Sequence, residues 1–371
     1  MTRCLLTEDY DRTRYEVETP LTSSIDYKQI RTELRVPEYV DPTSFLLERG
    51  IVTIWAAMKT GSLHELGTAA KGLKIKKEPI PVLFFGGGAV KALCPEANVP
   101  ASPLYREIDD IDLITSRNRG QDLCKLLLAL GDICGTRYYH FVTRTDRRFN
   151  AMRAGKRYRV RAIDKITSED SLKVGTLDIF TDEIDLRHKV DVRTALNDPE
   201  RHIYTIGIEN VLLAKCQYIF DIAKGLREEL VRHGLEYRIL NYPPYRSDRL
   251  LIGIEEKDIK DISAIFTSYK VGEGKECVNT AMIRKVLERD KKFALTFRLN
   301  LENLLQKEEF LKKIGVSDSN IGIIMSRVNA VLEAVPPVDK KWNNPWWNVD
   351  VETPQIFGKA PMPQYDRDSQ L

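Results

Sequence analysis

The sequence predicts a mixed α/β (α+β) core with a mixed sheet, followed by a helical C-terminal domain. Three observations lead there. Apolar strand-like runs alternate with helical patterns up to about residue 206, helical periodicity then dominates to Val335, and a tail carrying prolines and Trp342, Trp346 and Trp347 follows. A chain of 371 residues is long enough for two or three domains. Its 43% hydrophobic and 30% charged residues exclude a wholly disordered, collagen-like or membrane-embedded chain.

The elements follow in order. Residues 1–42 lack apolar periodicity and read as an irregular arm. The core is expected over 43–206. It opens with a buried helix over Ser44–Leu66, whose most apolar stretch, Ile51–Met58, is far short of the ~20 residues a membrane span needs. Ile80–Phe85 is a continuous apolar run ending in Gly86-Gly87-Gly88, a buried strand and a tight turn. Cys94–Pro103, with three prolines, reads as a loop. Ile111–Ile114 is a second strand, Gln121–Leu130 a helix, and Arg157–Ile163 and Leu177–Phe180 further strands. Ile203–Ile206 reads as a short strand leading into the helical domain, 207–335. That domain is expected to hold helices over Glu209–His233, Glu256–Phe266, Val278–Asp290, Leu301–Lys313 and Ser317–Val335. Residues 336–371 form the tail.

Six scattered cysteines without a CxxC pair argue against a disulfide framework or structural zinc, and the polar first eighteen residues do not resemble a signal peptide. A reduced, cytoplasmic protein with no membrane partner is expected. The net charge of +3 says little, but its distribution says more. Arg137–Lys165 holds ten Lys/Arg against two acids, interleaved with five Tyr/Phe. Such a segment is either a solvated hairpin with one buried face or a groove whose cations neutralise phosphates and whose rings stack on bases. Arg147, Arg148, Arg157 and Arg159 are the candidate RNA contacts.

Chemistry is suggested by a glycine turn joined to paired aspartates. Asp110 and Asp112, at i and i+2 on a strand, point to one face and together can hold a hard divalent cation. Glycines ahead of a helix offer backbone N–H groups to a phosphate without Cβ obstruction. A third carboxylate is sought on a neighbouring strand. Asp178 lies between apolar residues, where an unpaired carboxylate costs several kcal/mol and so needs a cation or a hydrogen-bond partner. Asp185 and Asp191 are its rivals. Lys215 sits on an apolar helix and either snorkels outward or offers a point charge to a cleft, and Asp258 and Asp261 share one helix face.

A glycine pair, an Asp-x-Asp strand and a later single aspartate resemble the polymerase-beta-like nucleotidyltransferase superfamily. Over roughly Val82–Phe266 the chain is similar to one branch of it, the AbiEii/AbiGii toxin family. Gly87, Gly88, Asp110 and Asp112, preceded by Arg106, match its first motif, and Asp178 matches the second. Glu209, Val211 and Lys215 match the third, and Lys257, Asp258, Asp261 and Ile262 the fourth. Three departures stand out: a longer segment before Asp110, Ala89 after the glycines, and Glu255 where the fourth motif has arginine.

The resemblance implies a nucleotidyltransferase core that moves a nucleoside monophosphate from an NTP to an acceptor hydroxyl. Asp110, Asp112 and Asp178 would bind Mg²⁺ (or Mn²⁺), with Asp178 helping to deprotonate the acceptor. Gly86, Gly87 and Gly88 would cradle phosphates, Lys215 would offset their charge, and Asp258 would hold Lys215. An RNA or tRNA end as acceptor and an antitoxin protein as partner are further expectations. The alternative is a catalytically inactive nucleotide- or RNA-binding module, which Glu255 favours.

Overall fold

The computed structural model describes residues 27–40, 45–59, 75–76, 78–108, 110–133, 141–153, 155–164, 173–197, 204–274 and 276–350. These fall into two units, each discontinuous in sequence. The first holds residues up to Ala92, Glu107–Glu183 and Asp191–Ile206, and the second holds Leu93–Arg106, Ile184–Val190 and the chain from Gly207. The boundary expected at 206/207 is therefore incomplete, because two earlier segments belong to the second unit.

The first unit begins with α1 (Tyr27–Glu33) and α2 (Phe45–Met58). The supposed irregular arm thus contains a helix, anchored by buried Ile30 and Leu34 and by Trp55 Nε1 donating to Glu33 Oε2 at 2.8 Å. β1 (Val82–Phe85) is buried throughout and runs directly into α3 (Gly86–Leu93), so the glycines form a helix start as well as a turn. The chain then visits the second unit, where α4 (Pro95–Asn98) replaces the expected loop. Pro95 occupies the first helical turn, where a missing N–H costs nothing.

β2 (Asp110–Thr115), α5 (Gly120–Ile133), β3 (Phe141–Thr145), α6 (Arg147–Arg153), β4 (Arg157–Asp164) and β5 (Lys173–Thr181) complete the main sheet. The strand order is β1-β2-β5-β4-β3. Only β2 and β5 pair in parallel, and the other pairs on this path are antiparallel. The sheet is mixed, as the sequence suggests, because a long excursion through α5, β3, α6 and β4 separates the two parallel strands. A Cβ on Gly50 would lie 2.2 Å from the Phe84 ring and 3.4 Å from Ile111. Its absence lets α2 settle on the sheet face that carries those two side chains. The opposite face carries Phe85 and Asp112.

From β5 the chain enters β6 (Glu183–Asp185) and β7 (Lys189–Asp191), which pair with each other, and returns through α7 (Arg193–Asn197). The expected strand at 203–206 is reduced, among the described residues, to one parallel bridge between Phe84 and Thr205.

The second unit contains more strand than expected. One helix is expected over Glu209–His233. Instead the chain forms α8 (Ile208–Lys215), β8 (Phe220–Ala223) and α9 (Arg227–Arg232). β8 pairs with β10 (Arg249–Ile252), whose other edge pairs with β9 (Ile239–Leu240). These pairings outweigh the helical pattern of the apolar run. α10 (Glu256–Ser268) follows, then the parallel pair β11 (Lys270–Gly272) and β12 (Cys277–Asn279). α11 (Thr280–Arg289), α12 (Lys291–Leu305), α13 (Glu308–Lys313) and α14 (Asp318–Ala334) close the unit. Trp346 and Trp347 pack with Tyr245, Leu251, Leu295 and Leu299, so the tail contributes these two rings to the unit's core. Among the described residues no helix is long and apolar enough to cross a membrane.

Candidate functional site

Strand register brings the acidic residues of the first unit together. Asp112 is opposite Phe85 on β1 and opposite Asp178 on β5, while Asp110 is opposite Thr176. Paired residues on neighbouring strands share a face, and so do residues two apart on one strand. Asp110, Asp112 and Asp178 therefore occupy one face of the sheet. Of the rivals, Asp191 is exposed and its carboxylate binds Arg193, and Asp185 lies on β6, which belongs mostly to the second unit.

Gly86 has φ +61°, and a Cβ there would lie 2.1 Å from Asp112 Oδ2. Asp112 thus leans over the turn at which β1 becomes α3, and only glycine satisfies both the left-handed backbone and the carboxylate. Gly87 and Gly88 continue into the buried first turn of α3. A Cβ on Gly88 would press within 3.2 Å of Ile111 Cδ1, so this glycine also serves helix–strand packing.

The three carboxylates differ sharply in environment. Asp110 is exposed, Asp112 half-buried, and Asp178 only 2% exposed. Asp178 is expected to be a metal ligand, but the structure gives both its oxygens to arginines. Arg159 Nε donates to Oδ1 at 2.7 Å and Arg159 Nη2 to Oδ2 at 2.9 Å, and Arg157 Nη2 also donates to Oδ2. Arg159 is the cross-strand partner of Asp178 on β4, and Arg157, two residues away, emerges on the same face. The Phe149 ring covers both guanidinium groups, at 4.1 Å from Arg159 and 5.1 Å from Arg157. Burial alone would raise the Asp178 pKa, but hydrogen bonds and charge from Arg159 and Arg157 hold it below the usual carboxylate range. Among the described residues no group of three or more His, Cys, Asp or Glu side chains is arranged to hold a metal ion.

The basic segment is divided by the same arrangement. Arg157 and Arg159 are turned to Asp178, so the structure does not offer them as open nucleic-acid contacts. Arg147 and Arg148 are exposed in the first turn of α6, a helix with no buried residue. Asp146 holds that turn through the Phe149 amide at 3.0 Å. Arg137 and Lys165 lie outside the described residues.

A second charged cluster belongs wholly to the second unit. Lys215, the last residue of α8, places Nζ 3.1 Å from Asp258 Oδ1 and 2.7 Å from Asp261 Oδ2 on α10. Arg106 completes it with Nε 2.9 Å from Asp261 Oδ1 and Nη2 2.7 Å from Oδ2. Two cations thus meet two carboxylates in a nearly dry setting, with the Asp261 side chain only 2% exposed. Burial would lower the Lys215 pKa, but Asp261 and Asp258 raise it well above the ordinary lysine value. The same contacts, led by Lys215 and then Arg106, overcome the effect of burial and hold Asp261 below its ordinary value.

Asp258 therefore does touch Lys215. It also accepts a long bond, 3.4 Å, from the Glu255 amide that opens α10. Lys215 is expected to offset phosphate charge, yet here its ammonium lies against two carboxylates. Glu209, buried in the first turn of α8, accepts from the Asn279 amide at 3.1 Å and so ties α8 to the start of α11.

Sequence reasoning missed both arginine engagements. Arg159 and Asp178 are nineteen residues apart, and Arg106 and Asp261 are 155 apart. The only local signal is that Asp178 and Asp261 sit among apolar neighbours and need a counter-charge. Compared with known proteins, no family model matches the chain, and no curated protein or solved structure matches it either.

Proposed function

We propose that the chain is a metal-dependent nucleotidyltransferase that moves a nucleoside monophosphate from an NTP to an acceptor hydroxyl. One observation carries the proposal: Asp110 and Asp112 share a sheet face with Asp178, and Asp112 overhangs a glycine turn that opens a helix. Asp110 and Asp112 offer hard oxygen donors with access to solvent. That donor set suits Mg²⁺ (or Mn²⁺), which takes one or two carboxylates and completes its sphere with water and substrate phosphates. Bound there, the ion would polarise a phosphoryl oxygen and lower the pKa of an attacking hydroxyl. Gly86, Gly87 and Gly88 would lead the α3 amides toward the phosphates. In this reading Asp178 joins the ligands only when Arg157 and Arg159 leave it. Lys215 and Asp258 act as a fixed ion pair that shapes their own unit. An RNA acceptor would meet the exposed Arg147 and Arg148, and an antitoxin-like protein would be a partner in a toxin or defence pair.

A second reading is favoured by one specific observation. Two arginines saturate the third carboxylate, which fits a nucleotide- or RNA-binding module without turnover. Incubation with α-³²P NTPs, Mg²⁺ and separate RNA, protein and small-molecule pools distinguishes the two. A transferase labels one pool, and Asp110→Asn and Asp112→Asn each abolish the label. If the wild-type protein retains the NTP but labels nothing, the binding module stands and the transferase reading falls.

A further inference from the structure

We infer that the second unit carries a separate binding site for a phosphate-bearing ligand, built on β8, β9, β10 and the turn between Leu240 and Arg249. A cavity of about 370 Å³ opens there, within the size range of small-ligand pockets. Its wall includes four cationic side chains, Lys224, Arg227, Arg246 and Arg249, and no carboxylate. The site lies outside every motif named above and does not depend on the reading of Asp110 and Asp112.

The cations differ in how they are held. Arg249 forks onto Asp221 across the β8–β10 pair, with Nη2 to Oδ1 at 2.7 Å and Nε to Oδ2 at 3.1 Å. The Tyr245 hydroxyl donates to the same Asp221 Oδ2 at 2.6 Å. Asp221 therefore holds both Arg249 and Tyr245 in place. Burial would raise its pKa, but the bonds from Arg249 and Tyr245 and the charges of Arg249 and Arg246 together keep it below the ordinary value. Arg246 is paired with exposed Asp248 at 2.8 Å. Lys224 and Arg227 are exposed and form no ion pair with any described residue. The Lys224 amide donates to the Asp248 carbonyl at 2.9 Å, which fixes the backbone from which the Lys224 side chain projects.

The result is a half-open cavity whose lining residues Arg249 and Tyr245 are held by Asp221, with two uncompensated cations, Lys224 and Arg227, also on its lining. Uncompensated cations over a pocket of mixed polar and apolar lining attract anions, and a guanidinium beside an ammonium suits the oxygens of a phosphoester. A fully paired surface would instead be a solvated face. The same phosphate chemistry is presented by a free nucleotide and by an RNA strand.

The test measures binding to the full chain in EDTA, with the Asp110→Asn background used throughout so that the first unit's metal site is silent. The probes are pyrophosphate, ADP, a short single-stranded oligoribonucleotide and, as a neutral control, adenosine. Binding of at least one phosphate probe is expected, weakening as salt rises. Lys224→Ala/Arg227→Ala should lose roughly tenfold in affinity per cation, since a charge-assisted contact is worth about that much. Both side chains are exposed, so the double variant should keep the wild-type unfolding midpoint. ADP binding without the oligonucleotide assigns a free nucleotide, and preference for the oligonucleotide assigns RNA. Unchanged affinity in the double variant, equal binding of adenosine, or no binding of any phosphate probe overturns the site. Loss of label transfer by the wild-type chain would sink the transferase reading and leave this binding intact.

Discussion

At the scale of single residues, Gly86 and His188 carry the sharpest consequences. The φ of +61° at Gly86 costs an L-residue about 1–2 kcal/mol, and an added methyl would also displace the Asp112 carboxylate it meets at 2.1 Å. Gly86→Ala is therefore expected to lower stability by about that amount in urea unfolding. If the nucleotidyltransferase reading holds, it should lower label transfer far more than the stability loss explains. A variant as stable and active as wild type would mean that Asp112 does not lean over the turn.

His188, between β6 and β7, is buried against α12, with its ring stacked on Phe293 at 4.8 Å and Nε2 2.8 Å from Thr296 Oγ1. Burial pushes its pKa down to about 4, against Asp290, which pulls it up, and with Lys292 and Arg187, which push it further down. The folded chain thus keeps this ring neutral where the unfolded chain, titrating near 6.5, takes up a proton. Stability should fall as pH drops from about 6.5 toward 4, by on the order of 3 kcal/mol. Urea midpoints for wild type and His188→Gln measure this, and the variant should lose the slope over that window. Asp178 and Asp261 have the opposite sense, with depressed values, so their contribution is present above about pH 4 and fades only below it.

At the scale of elements, the start of α10 explains the departure at Glu255. The side chain accepts from the Tyr218 hydroxyl at 3.0 Å, lies 3.4 Å from Arg238 Nη2 and 3.3 Å from Lys257 Nζ. Glu255 therefore balances the two cations beside it, Arg238 and Lys257. Glu255→Arg would set a third cation against Arg238 and Lys257. A destabilisation of roughly 2 kcal/mol or more is expected, with no gain in nucleotide transfer. A more stable variant by thermal unfolding would contradict these contacts.

The same region shows what was legible in the sequence. Elements written in local periodicity, such as β1, β2, α5, α10 and α14, were readable, as was the shared face of Asp110 and Asp112, because i and i+2 fix it. The break of Glu209–His233 was not, since β8 exists only by pairing with β10, more than twenty residues away. Nor were the arginines on Asp178 and Asp261, whose contacts arise from strand register and from a connecting segment that meets a helix distant in sequence. A carboxylate between apolar residues announces that it needs a partner without saying whether that partner is a metal or a guanidinium.

At the scale of the whole molecule, the chain's repeated exchange between its two units decides how it can be divided. A cut at 206/207 looks natural in the sequence, where mixed α/β pattern gives way to helix. Yet the second unit's interior draws on residues well before that point. Arg106 supplies the fork on buried Asp261, and α4 comes from 95–98. His188 Nε2 reaches Thr296 Oγ1, to which Trp346 also donates at 2.9 Å, while Arg187 donates to the Asn348 carbonyl at 2.9 Å. A fragment spanning 207–371 would bury Asp261 with Lys215 as its remaining cation in that cluster, and would lose the residues that anchor Thr296 and the tail. Breaking a buried pair by removing one partner costs about 3–5 kcal/mol, a large share of a domain's total stability. The fragment is therefore expected to lack cooperative unfolding and to show weak near-UV dichroism from Trp346 and Trp347, even though it contains most of the helical residues. Adding 93–106 through a linker should recover part of that signal by restoring Arg106. A fragment 207–371 that unfolds cooperatively with a wild-type tryptophan spectrum would show that these crossings are dispensable.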